Sequence, residues 1–326
     1  MRISKLLAGL TVAAFAVPDL AWSEDPPVET GVVDAMNKVF GVHPGFRATH
    51  AKGVVVEGRF KGSPEAPALS RAVLFDGRTI PVTVRFSDNG GFPTIPDGSP
   101  DANPHGMALK VHLPDGSEAD IVTNSLKFFP VSTAAELRDL FLAIAASPPD
   151  APKPTKLDQF VASHPTVAAA TATVATPDSL AHEEYRGINA FVLVNKAGER
   201  QAVRYLMMPE QVVHLDPAEA ARRSPDFLMN ELPERLARGP VTFRLKAQLA
   251  APGDSTSDPS QPWPQDRTVV ELGILSLEKA MPDGAEVEKK LLFLPGQLTD
   301  GIEASDDPMI DVRDGAYAVS FSRRSP

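Results

Sequence analysis

The feature that most constrains this chain is a recurring two-residue alternation of apolar and polar side chains, enriched in β-branched residues. It is clearest over residues 54–60, 81–87, 107–113, 190–194, 202–207, 241–249 and 269–277. A strand shows this period when one of its faces is buried and the other is not. Few helical stretches separate these segments, and parallel pairing needs long crossovers. The expectation is therefore an antiparallel sheet closed, or nearly closed, into a barrel. Asn195-Lys196-Ala197-Gly198-Glu199 supplies turn chemistry between two of the runs and predicts a hairpin over residues 191–207. A length of 326 residues fits two domains of ordinary size, but a large barrel can use that much chain alone. Neither an internal repeat nor a linker divides it.

Helices show through their caps. Thr133 and Glu136 form a capping box ahead of residues 137–146, and Asp216-Pro217 opens a second helix. Asp307 and Pro308 open a third, over residues 309–322. The fold class expected is α+β, a barrel core with peripheral helices and a helix at the C-terminus. The 32 prolines imply irregular connections, and residues 148–154 and 251–264 read as loops.

At the N-terminus, Arg2 and Lys5 precede an apolar run over residues 6–17, and small residues flank Trp22 at Ala21 and Ser23. This is the pattern of a signal peptide, expected to be cleaved after residue 23 to leave a single domain over residues 24–326. The expectation is export to a periplasm, with no membrane association after processing, since the apolar run is short of the ~20 residues that span a bilayer. The balance of 32 Lys plus Arg against 42 Asp plus Glu gives a net charge of −10, which excludes the basic footprint of a nucleic-acid binder. The absence of cysteine removes disulfides, thiolate nucleophiles and Cys-ligated metals, so any metal must be held by His, Tyr or carboxylate.

Arg313 and Tyr317 lie four apart on the expected C-terminal helix and share a face. Alone, such a pair is usually surface packing. A phenol with a pKa near 10 is a poor metal ligand, but an adjacent guanidinium favours its anion. At the other end of the chain, Arg47 and His50 precede the first strand, and Arg85 and Ser87 end a neighbouring one. A lone histidine at a strand mouth is more often structural than catalytic. His43, His105, His112, His164, His182 and His214 show no ligand spacing and read as surface or satisfied core, and Trp263 as packing against the barrel.

Taken in order, residues 47–53, 81–87, 101–110, 120–129, 185–205, 262–275 and 286–324 resemble the haem catalase superfamily. The most specific stretch runs from Glu286-Val287-Glu288 through Gly301-Ile302-Glu303-Ala304-Ser305-Asp306-Asp307-Pro308-Met309 to Arg313-x-x-x-Tyr317. Within the superfamily the chain resembles the small exported catalase-related peroxidases. The resemblance implies a catalase-type barrel and non-covalent haem b (iron protoporphyrin IX). Tyr317 is then the proximal iron ligand and Arg313 the cation that keeps it a phenolate, roles carried over from the family rather than deduced. Arg47, Arg85 and Arg324 would contact the haem propionates, and Phe128 would stack over the ring. His50 would move a proton between the two oxygens of peroxide, with Ser87 orienting its imidazole.

Three departures from typical catalases shape the expected activity. The sequence ends two residues after Arg324. Thr49 replaces the aliphatic residue before the distal histidine. Counting back from Phe128-Phe129 puts Thr123 where the family has a distal asparagine, with Asn124 one residue later and therefore on the opposite strand face unless a bulge re-aims it. The implied function is a haem peroxidase with weak catalase activity, using peroxide and a small organic electron donor, as a monomer or homodimer. The alternatives are a fatty-acid hydroperoxide enzyme of the allene oxide synthase kind, which Thr49 resembles, and a non-catalytic haem-binding barrel.

Overall fold

A computed structural model describes residues 26–324, so the expected signal peptide lies outside the described residues. The chain opens with α1 (Val28–Phe40), then β1 (Gly53–Gly62), β2 (Thr79–Ser87), β3 (Gly106–His112) and β4 (Glu118–Asn124). Three helices follow, α2 (Ala134–Ala145), α3 (Lys156–Ser163) and α4 (Pro165–Thr171), then β5 (Tyr185–Arg186), β6 (Phe191–Val194) and β7 (Arg200–Pro209). The rest is α5 (Pro217–Ala220), α6 (Phe227–Leu236), β8 (Val241–Leu249), β9 (Val269–Ala280), α7 (Gly284–Lys290), β10 (Ile302–Ala304) and α8 (Met309–Arg324).

Strands β7, β5, β4, β3, β2, β1, β9 and β8 pair in that order, and β7 pairs back with β8 to close an eight-stranded antiparallel barrel. β6 adds to β7, and β10 to β6. The α+β barrel read from alternation is thus what the chain forms, and each of the seven alternating segments is a strand. The hairpin turns where expected: Asn195 Oδ1 accepts from the amides of Ala197 and Glu199, both at 3.0 Å, and Gly198 takes a φ of +83°. The caps also form. Thr133 and Glu136 exchange the two bonds of the capping box, and Asp307 Oδ1 accepts from Met309 N at 2.9 Å to start α8.

Alternation decides what lies on each side of the barrel wall. Val84, Phe86, Met107, Leu109 and Ile121 fill the interior with Phe60, Phe243 and Leu275, each side chain worth about 1.5–3 kcal/mol on burial. Their neighbours Arg85, Ser87, Gly106, Ala108, Val122 and Asn124 fall on the outer face, where the register sets Ser87 opposite Gly106 and Gly106 opposite Asn124. A second apolar cluster, with Val32, Leu137, Leu140, Val167 and Met309, packs α1, α2, α4 and α8 together over that face. The site lies between the barrel wall and these helices.

Candidate active site

A cavity of about 1360 Å³ runs between the wall and the helices, beyond the roughly 300–1,000 Å³ of ordinary small-molecule sites. Thr49, His50, Arg85, Ser87 and Asn124 line it from the barrel side, and Arg313, Tyr317 and Arg324 from α8. Residues more than 250 positions apart in sequence thus face one space. The expected aromatic is displaced by one position. Phe129 lines the cavity, whereas Phe128 lines a separate pocket of about 300 Å³ with Arg204 and Trp263. Phe129, not the expected Phe128, thus borders this cavity, since the backbone between β4 and α2 presents the two adjacent side chains to different pockets.

On α8, one turn brings Arg313 against Tyr317, with Nε and Nη2 donating to the phenol oxygen at 3.2 and 2.9 Å. The third nitrogen, Nη1, donates to Asn189 Oδ1 in a short contact. Asn189 Nδ2 in turn donates to Asp307 Oδ2 at 2.7 Å, and all three partners are buried. Asp307 is thus both the cap of α8 and the far anchor of the guanidinium. Asn189 was not singled out from the sequence, since a lone asparagine after β5 carries no spacing signal.

At one end of the cavity the cations crowd. Arg47 Nη1 donates to Glu288 Oε1 at 3.0 Å, and Arg85 Nε to the same oxygen at 2.8 Å. Arg47 and Arg324 both donate to the Leu291 carbonyl, at 2.9 and 2.6 Å. Burial, then the charges of Arg85 and Arg324, push the Arg47 guanidinium well below its ordinary range, with Glu288 opposing. Arg324 is pushed down to about 10 by burial and by Arg85. Arg47 and Arg85 share the Glu288 carboxylate, and Arg324, near them, has a buried Nε without a partner among the described residues.

On the distal side His50 sits with a φ of +55°, a conformation rarely adopted outside glycine. Its amide donates to Asn89 O at 2.8 Å, and Arg85 Nη2 donates to its carbonyl at 2.7 Å. The ring Nδ1 lies 3.0 Å from Ser87 Oγ. The hydroxyl can accept a hydrogen bond from Nδ1, the arrangement that leaves Nε2 as the free base. Burial, then the charges of Arg85, Arg313 and Arg47, lower the His50 pKa to about 3, so the ring is neutral at any ordinary pH.

Asn124 lies on the outer strand face with Val122, directly across from Gly106, which itself abuts the His50 ring. Its Oδ1 accepts from Leu126 N at 3.0 Å. Thr123 points the other way along the alternation, is buried, and donates its hydroxyl to Met107 O at 2.8 Å. Both residues border the cavity, with the Asn124 side chain on the outer strand face. Thr49 lines the cavity. Among the described residues, no three His, Asp or Glu side chains converge as a metal site.

Comparison with known proteins decides the family. The profile described as Catalase matches residues 44–325. The chain belongs to the catalase family. It is 35% identical over 303 residues to a "Catalase-related peroxidase" of Mycolicibacterium paratuberculosis, covering 90% of this chain and 93% of the relative. It is 32% identical over 319 residues to one of Synechococcus elongatus, covering 96% and 94%. A solved "Structure of a bacterial catalase" shares the fold at a TM-score of 0.76 and 22% identity, over 99% of this chain and 67% of that one.

The residues of this catalase-family chain fit a haem. An excess of two positive charges around Glu288, with an orphaned guanidinium nitrogen, suits two propionates. The phenol oxygen of Tyr317 and the imidazole of His50 line the same apolar-walled space.

Proposed function

We propose that this chain is a haem peroxidase that reduces hydrogen peroxide or organic hydroperoxides with a small organic electron donor, with weak catalase turnover. The observation that carries the proposal is the cavity bounded by the Arg313–Tyr317 pair on one side and the Ser87–His50 pair on the other. The names of the two relatives that it matches nearly end to end support the peroxidase class.

Haem b, bound non-covalently, would supply redox-active iron at which the peroxide O–O bond is broken. Tyr317 would hold it from α8, and Arg47, Arg85 and Arg324 would bind the propionates. His50 Nε2 takes a proton from the near oxygen of the peroxide and returns it to the far one, so that water or an alcohol leaves. Ser87 Oγ holds the opposite ring nitrogen and so keeps Nε2 facing the substrate. Asn124 offers its amide at the same end. Over the cycle one hydroperoxide, two electrons and two protons give one alcohol and one water, the electrons coming from the donor. Export by residues 1–23 would place this chemistry in the periplasm.

A second reading, turnover of fatty-acid hydroperoxides, is favoured by one observation. Beside its polar residues the cavity is lined by the apolar Leu137, Leu140, Phe141, Ile144, Val161 and Val167. The test is a stopped-flow absorbance measurement, with product analysis, on haem-loaded protein mixed with hydrogen peroxide, cumene hydroperoxide or linoleic acid hydroperoxide, with and without a phenolic donor. The peroxidase proposal expects a rapid spectral change that the donor reverses. Rearranged lipid products without donor consumption would replace it with the second reading. Unaltered peroxide consumption by His50→Ala would leave only a haem-binding barrel.

A further inference from the structure

Behind the distal histidine lies a polar pair that this mechanism does not use. Ser87 ends β2 with its hydroxyl at His50, and the next residue, Asp88, is fully buried. Neither Asp88 carboxylate oxygen makes a hydrogen bond among the described residues. His105 Nδ1 stands 3.2 Å from Asp88 Oδ1, close enough for an ion pair though out of line for a good hydrogen bond. His105 is also fully buried, and its Nε2 has no partner among the described residues.

Both members are chain neighbours of residues that touch the His50 ring. Asp88 follows Ser87, whose hydroxyl lies 3.0 Å from the ring Nδ1. His105 precedes Gly106, where an added Cβ would stand 2.8 Å from Ser87 Oγ and 3.1 Å from His50 Nδ1. His105 also exchanges two hydrogen bonds with Ser125, its amide donating to Oγ at 3.0 Å and its carbonyl accepting from the amide at 2.9 Å. That fastens the same point to the end of β4, beside Asn124.

A buried carboxylate and a buried imidazole are each costly unless they are paired. The surrounding charges are already committed. Lys52 Nζ is taken by Asp97, by Asp226 and by the carbonyls of Ile95 and Pro225. Glu183 pairs with His214 at 3.2 Å, and the Tyr185 hydroxyl donates to Leu180 O. Asp97 also faces Asp88, and burial, then the Asp88 charge, raise it to about 6, but a second carboxyl cannot neutralise Asp88, so the basic partner beside it is His105 at 3.2 Å.

We propose that Asp88 and His105 share one proton as a buried brace that positions the Nδ1 side of His50, which makes both of them positioning residues for the distal base. The proposal rests on His50 being that base, but its first readout does not depend on turnover. The full chain, labelled with ¹⁵N-histidine and loaded with gallium(III) protoporphyrin IX as a diamagnetic stand-in, reports the ring tautomer through two-bond ¹H–¹⁵N correlations, with His50 assigned by its loss in His50→Gln. Wild type should show His50 protonated at Nδ1, and Asp88→Asn and His105→Gln should each show a mixture.

In haem-loaded protein each single variant should slow the reaction with hydrogen peroxide about tenfold at unchanged haem content. The double variant should be no slower than the worse single one, since both act through one contact. An unchanged tautomer in both single variants, or effects that multiply in the double variant, overturns the brace. If a single variant fails to fold, the uncharged double variant decides alone, a mixed tautomer supporting the brace and an unchanged one overturning it. A tautomer shift seen together with undiminished peroxide consumption by His50→Ala would sink the role of His50 while leaving the brace intact.

Discussion

Arg85 Nη2 donates to the backbone carbonyl of His50 at 2.7 Å, while the same Nη2 and Nε donate to Glu288 Oε1. One buried guanidinium therefore links the cationic end of the cavity to the one non-glycine residue with positive φ among the described residues. Binding of an anionic group at that end and the orientation of the distal ring share a component.

Arg85→Gln should separate these effects from mere folding. Glutamine keeps a donor but loses the charge and the fork, so hemin affinity should fall at least tenfold, about 1.4 kcal/mol. The rate with hydrogen peroxide at saturating hemin should also fall, because the His50 carbonyl loses its anchor. Hemin titration of the Soret band and stopped-flow mixing measure the two. A loss of affinity with an unchanged rate would show that the Arg85 contact to His50 does not orient the ring.

The barrel was legible because its segments obey a period of two over a single buried face, and α2 and α8 were legible because Thr133 and Asp307 are real caps. What failed to show has physical reasons. α1 begins at Pro27 with no capping side chain, and α6 carries Pro233 inside it, where the residue reads as a breaker. β5 and β10 are two and three residues long, too short to show a period. In β4, Asp120 is buried and salt-bridged to Lys110 at 2.9 Å, which breaks the polar-out pattern. In the site, Arg313, Tyr317, His50 and Ser87 could be named in advance because their ordered spacing resembles a family. Asn189 and Glu288 act through partners 124 and 203 or more positions away, and no local pattern announces such contacts.

Asn189 offers the second test. It holds Arg313 Nη1 and is itself held by Asp307, so Asn189→Ala leaves a buried guanidinium nitrogen and a carboxylate oxygen without their partner. Such a loss costs about 1–3 kcal/mol. The expected outcome is a lower melting temperature and an altered ferric charge-transfer band, since Arg313 can swing away from Tyr317. Asn189→Gln, which keeps both an amide acceptor and an amide donor, should preserve the spectrum more nearly. A spectrum identical to wild type in Asn189→Ala would show that Arg313 is fixed by Tyr317 alone.

His50 also makes a prediction about acid stability. Its folded pKa of about 3 lies below the ordinary histidine value near 6.5. Above pH 6.5 neither folded nor unfolded chain protonates it, and its contribution is complete. Between there and pH 3 the unfolded chain takes up a proton that the folded chain refuses, so stability falls with falling pH. At pH 5 the loss is at most about 2 kcal/mol. Chemical denaturation of the haem-free protein at pH 7 and pH 5 should show a smaller drop for His50→Gln than for wild type. Carboxylates raised by burial, such as Asp97, tilt both proteins in the opposite sense and cancel in the comparison. Equal drops would mean that His50 takes up a proton in the fold as readily as in the open chain.

Gly106 is the sharpest steric test of the distal arrangement. It pairs with Ser87 on one side and Asn124 on the other, and a methyl group there would stand 2.8 Å from Ser87 Oγ and 3.1 Å from His50 Nδ1. Real Cβ contacts are essentially never below 3.0 Å, so the serine hydroxyl must rotate off the ring. The backbone of Gly106 is not in the left-handed region, so alanine brings no conformational penalty there. Gly106→Ala should therefore fold and load hemin with an unchanged ferric spectrum, while its rate with hydrogen peroxide falls about tenfold or more. Adding Ser87→Ala to Gly106→Ala should cost little further, because the contact is already broken. A rate within twofold of wild type would mean that the Ser87 contact to Nδ1 does not set the working orientation of His50.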